Sequence, residues 1–179
     1  MSNNKGFTLV EVLVVVTIIS ILASILWIII DMKSQINNAK AVKIANDFKS
    51  IERAFWLTAQ EGLKEYGLYP SENEFGYGPD PSISTLVNNS GLKYIPANFQ
   101  PPIGDGIYKY DNDNNAYPFL NNCSGQNNSG GVNLIIKNIT TIDQDVVYKL
   151  DNIFDNGDGL KCGYIRVYND NILKFNLDV

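Results

Sequence analysis

The chain has 179 residues, enough for one domain of ordinary size plus an appendage. Its formal charge of -5, from 19 acidic and 14 basic residues, leaves no basic stripe for a phosphate backbone, so no nucleic-acid partner is expected. Histidine is absent, which removes most metal, triad and imidazole acid–base arrangements and points away from an enzyme.

The mean hydropathy of -0.10 averages two unlike parts. Residues 7–30 (FTLVEVLVVVTIISILASILWIII) are apolar almost throughout, whereas the rest is rich in Asn, Asp, Gly and Tyr. As a helix this run would span about 36 Å, enough for a hydrocarbon core of about 30 Å. An ordinary secretory signal places its small residues after the apolar core. Here Gly6 precedes it, so a cut after Gly6 would discard MSNNKG and leave the apolar segment on the mature chain.

Glu11 interrupts that segment. A carboxylate inside a bilayer span costs several kcal/mol unless it is paired or reaches the interface, so it is a functional candidate. The bland alternative is an interfacial Glu close enough to the N-terminus to touch water. Cleavage after Gly6 would place a new α-amine on Phe7, one helical turn away. Charge counting gives no clear orientation. Lys5 precedes the run and Lys33, Lys40 and Lys43 follow it, which by the positive-inside rule would put the C-terminal part in the cytoplasm.

Beyond Ile30, residues Ala41, Ile44, Phe48, Ile51 and Phe55 step by three and four and predict one buried helical stripe, with Lys43, Asp47, Lys49 and Arg53 on the other faces. One helix is expected from Phe7 to about Leu63, ended by Gly62, Gly67 and finally Pro70. Residues 70–105 hold six of the seven prolines and read as loop, with a short helix at 82–88. Strand signals follow at 106–110 and 132–139. Thr141-Ile-Asp-Gln144 has capping-box spacing, and Ile142, Val146, Leu150 and Ile153 recur helically, so a short helix is expected there. Residues 163–168 and 172–177 flank Asn169-Asp170-Asn171 and read as a hairpin. The sum is α+β: a long N-terminal helix, half apolar anchor and half amphipathic, packed on a small and mainly antiparallel sheet.

Two features of the C-terminal part bear on chemistry. Cys123 and Cys162 do not make a zinc site without histidine or a CxxC pair; outside the cytoplasm they would form a disulfide, and otherwise two buried thiols. Asp155-Asn-Gly-Asp158-Gly, with Asp151 before it, gathers hard oxygen ligands that would suit calcium, although Asn and Asp also dominate turns for conformational reasons. No other cofactor is indicated.

Lys5-Gly6-Phe7-Thr8-Leu9-Val10-Glu11, followed by the apolar helix, resembles the class III signal of the type IV pilin superfamily, which includes pilins, minor pilins and the pseudopilins of type II secretion. AKAVKIANDFKSIERAF with the later EYGLYPS, and LDNIFDNGDGLKCGYIRV, resemble other parts of such chains. The resemblance implies a leader at 1–6, a membrane and filament-core helix at 7–30 and an extracytoplasmic domain at 31–179. It implies cleavage between Gly6 and Phe7 by a prepilin peptidase and N-methylation of Phe7. Glu11 would neutralise the N-terminal amine of an adjacent subunit, and the partners would be other subunits and the inner-membrane assembly machinery of a bacterium. Many pilins carry a proline or glycine in the apolar helix. Residues 7–30 contain neither, which favours a minor pilin or pseudopilin over a major pilin. Two rivals are a tip adhesin or DNA-uptake receptor of the same filament, and a membrane-anchored domain that never polymerises.

Overall fold

The computed structural model describes residues 6–61, 81–89, 92–96, 98–112, 132–137, 143–157, 163–168 and 172–176. Helix α1 runs over Leu9–Glu61 without interruption. Proline, which would remove a backbone donor, and glycine, which would loosen the backbone, are both missing between Leu9 and Glu61. Two compact units divide the chain at Ile36/Asn37. In the first, every described side chain is exposed, from Phe7 through Ile30 and on to Ile36.

The second unit starts at Asn37 and holds the core. The predicted stripe is buried as expected: Ala41, Ile44, Phe48, Ile51 and Phe55 are all at most 2% exposed. They meet a four-stranded sheet made of β1 (Ile107–Asp111), β2 (Asn133–Lys137), β3 (Ile165–Tyr168) and β4 (Ile172–Asn176). The strand order is β1-β2-β4-β3 and each adjacent pair is antiparallel. Tyr108 pairs with Ile136 and Tyr110 with Leu134, which puts two tyrosines and two aliphatics on one face. Phe48 approaches Tyr108 edge-on at 5.8 Å, and Phe55 stacks on Tyr110 at 4.7 Å. The tyrosines thus supply core area on the face turned to the helix.

The outer edge of β1 is covered by a bridge from Ser82 to Lys109 and by the Tyr110 amide donating to the Pro81 carbonyl. Ser82 also caps helix α2 (Ile83–Asn89), its Oγ accepting from the Thr85 amide. At the far edge, the amide of Ile165 in β3 donates to the Asp155 carboxylate at 2.8 Å. That bond occupies one of the donors an edge strand would otherwise present.

Helix α3 (Gln144–Asp155) corrects the sequence expectation at its start. The cap is Asp143, not Thr141, and its side chain accepts from the Asp145 amide at 3.1 Å. Asp143 and Asp145 are both held from α1, since the buried Asn37 amide donates to each carboxylate at 3.0 Å. Lys149 then pairs with Asp145 at 3.2 Å. Val146 and Leu150 are buried as predicted, Ile153 is exposed, and Ile142 lies outside the described residues. The helix ends on Asn156 in the left-handed region, followed by Gly157 at φ +77°. A Cβ on Gly157 would come within 2.5 Å of Asn152 Oδ1, whose amide donates to the Tyr148 carbonyl. Gly157→Ala is therefore expected to destabilise the second unit by about 1–2 kcal/mol, read as a lowered melting temperature.

At the other end of α1, Glu61 accepts from the Tyr94 hydroxyl and pairs with Lys93 at 3.0 Å. These partners, Tyr94 first, hold its carboxyl below the ordinary value.

Candidate processing and assembly site

The site is built on the first turn of α1. Residues 6–8 are not helical and the helix begins at Leu9, with the Thr8 carbonyl accepting from the Val12 amide. Thr8 is the N-cap: its Oγ1 accepts from the Glu11 amide at 3.3 Å. Glu11, three residues on, reaches back, its Oε2 accepting from the Thr8 amide at 2.8 Å and the Thr8 hydroxyl at 2.9 Å. The result is a reciprocal capping box, which satisfies two of the four donors that a helix start leaves open. The flanking positions that form a hydrophobic staple are filled by Phe7 and Val12, and both line one apolar hollow with Glu11. Negative charge in the first turn also opposes the positive end of the helix dipole.

Glu11 therefore has a local role in addition to any intermolecular one. Thr-x-x-Glu is legible in TLVE, and Thr8 is the residue of this site that the charge argument alone passes over. Among the described residues all bonds to the carboxylate fall on Oε2, which leaves Oε1 as an acceptor for a cation.

Gly6 is exposed, and a Cβ built on it would meet nothing within 4 Å. Its φ is not among the positive ones. Neither space nor backbone geometry in this chain demands glycine there. Phe7 is 88% exposed, so among the described residues nothing shields the Gly6–Phe7 bond.

Further along the apolar segment, the polar side chains are satisfied within the helix. Thr17 Oγ1 donates to the Val14 carbonyl, Ser20 Oγ to Val16 and Ser24 Oγ to Ser20, each at 2.8 Å. Hydroxyls bonded in this way avoid the cost of an unpaired donor in apolar surroundings. The best window of the helix has mean hydropathy 3.0 and is 0% buried, so by length and composition it is sufficient to cross a membrane.

Asp47, on a helix face other than the core stripe, is 7% exposed and accepts from the Tyr108 hydroxyl at 2.7 Å and from Lys43 at 2.6 Å. Of the calcium candidates, Asp151 is buried in α3, Asp155 bonds the Ile165 amide, and Asp158 lies outside the described residues. The described residues hold no cluster of three or more carboxylate, thiol or imidazole groups. Cys123 and Cys162 lie outside the described residues as well.

A family model described as the prokaryotic N-terminal methylation motif matches residues 1–27. No curated protein sequence and no solved structure matches the chain. The motif spans the Gly6–Phe7 bond, the capping box and most of the apolar run, and together with that helix it fits membrane anchoring. The chain carries, at its N-terminus, the class III prepilin signal of type IV pilin-like proteins.

Proposed function

We propose that the protein is a structural, non-catalytic subunit of a type IV filament system, a minor pilin or pseudopilin in preference to a major pilin. It enters the bacterial inner membrane through residues 7–30, is cut after Gly6 by a prepilin peptidase and is N-methylated on Phe7. The domain beyond the anchor faces away from the cytoplasm, where Cys123 and Cys162 pair. Subunits then assemble through their N-terminal helices, with Glu11 opposite the amine of a neighbour.

The observation that carries this reading is the methylation motif laid over an exposed Gly6–Phe7 bond and a helix that starts two residues later. The preference for a low-abundance subunit rests on α1 being free of proline and glycine. N-terminal sequencing and intact mass of the protein from its native membrane test the proposal. A chain starting at N-methyl-Phe7 is expected. An intact Met1 would favour an anchored domain that never polymerises and would sink the proposal.

A further inference from the structure

We infer that Thr8 is a positioning residue for leader removal, its hydroxyl fixing the helix start so that the Gly6–Phe7 bond stays outside the helix. The inference rests on the proposed cleavage at that bond. A protease needs a peptide carbonyl that water can reach and a backbone that can lie extended in a cleft. A helical peptide meets neither need, because its carbonyl is tied to the amide four residues on. Were α1 to extend upstream, the Gly6 carbonyl would take the Val10 amide as its partner and be withdrawn from attack.

The observed geometry prevents that. The helix begins at Leu9, and the Thr8 hydroxyl and amide are closed on Glu11. Residues 6–8 are left non-helical and exposed. The sequence offers rival caps just upstream, since Asn3 and Asn4 are both strong N-cap residues. Without the Thr8 hydroxyl the start at Leu9 loses its cap, and a start moved to Asn3 or Asn4 would place the scissile bond between that cap and Leu9. The box is therefore a boundary marker: it sets which peptide bonds are helical and which remain available to the processing enzyme. Glu11 shares the task, which is why Thr8 is the better residue to test.

The test uses the full-length chain in membrane vesicles containing a prepilin peptidase, with leader removal followed by mass over time. Thr8→Val keeps the branched shape and loses the hydroxyl; Thr8→Ser keeps the hydroxyl and loses the methyl. Thr8→Val is expected to slow cleavage about fivefold, the effect of a lost cap of ordinary strength, with Thr8→Ser near the parent rate. Equal rates for Thr8→Val and the parent would overturn the inference while leaving the proposed function standing. Equal slowing by both variants would overturn it too, because the hydroxyl would not be the cause. Failure of the parent chain to be cut at Gly6–Phe7 would overturn both readings. Amide exchange at Phe7 gives an independent measure: added protection in Thr8→Val supports the inference, and unchanged exchange counts against it.

Discussion

Glu11→Leu is expected to abolish incorporation of the subunit into filaments while leaving the Asn37–Val179 unit folded. Leucine removes both the charge and the acceptor that closes on the Thr8 amide and hydroxyl. Glu11→Gln separates these losses, since its amide oxygen still accepts from Thr8 but carries no charge for an ammonium. The capping contribution is about 1 kcal/mol, whereas an uncompensated ammonium in apolar surroundings costs several. Glu11→Gln should therefore keep the helix start and still lose about tenfold or more of its incorporation. Sheared filaments probed for the variant, beside total membrane protein, measure the ratio. Normal incorporation of Glu11→Gln would show that capping, not charge pairing, is what Glu11 supplies.

Phe48→Ala carries the largest expected effect on stability. The ring is fully buried, meets Tyr108 edge-on and lies 6.4 Å from Phe154, so it joins α1 to both the sheet and α3. Truncating a buried phenylalanine costs about 3–5 kcal/mol, a large part of the roughly 5–15 kcal/mol that holds an ordinary domain together. Chemical denaturation of the detergent-solubilised chain should show the midpoint fall sharply. Asp47→Ala should cost less, about 1–3 kcal/mol, by leaving the Tyr108 hydroxyl buried without its carboxylate.

The same pair sets an alkaline limit. Burial first, and then the bond to Asp47, push the Tyr108 phenol far above its ordinary value. For a group raised in this way, stability is fully present below the unfolded tyrosine value, near 10, and falls as pH climbs past it. The unfolded chain then loses a proton that the folded one keeps. Denaturation midpoints measured on either side of that value should drop on the alkaline side.

The core stripe of α1 was legible because Ala41 to Phe55 repeat at the helical period and only one face of the helix can be dry. Asp47 was not legible. Its burial depends on Tyr108, 61 residues away in the chain, and no local pattern foretells a partner so distant. The start of α3 failed for a related reason. Thr141 and Asp143 are both good caps in isolation, and the Asn37 amide, reaching from another helix, fixes the position of Asp143. The antiparallel pairing of β3 with β4 was legible from the Asn-Asp-Asn stretch between two strand signals, whereas the pairing of β2 with β4 is non-local and left no trace in composition. At the N-terminus the motif was plain, and TLVE even spells out its own cap.

Asn37 has a mechanical consequence. It is the first residue of the second unit, and its two bonds to Asp143 and Asp145 tie α1 to α3 where that unit begins. Tension entering along α1 from the apolar end reaches these bonds before it reaches Ala41, Ile44 or Phe48. A pair of hydrogen bonds gives way over a fraction of the distance needed to pull an interlocked ring from its socket. Under load the unit would shed one polar clasp and still keep its aromatic core, as a sacrificial link does in a chain.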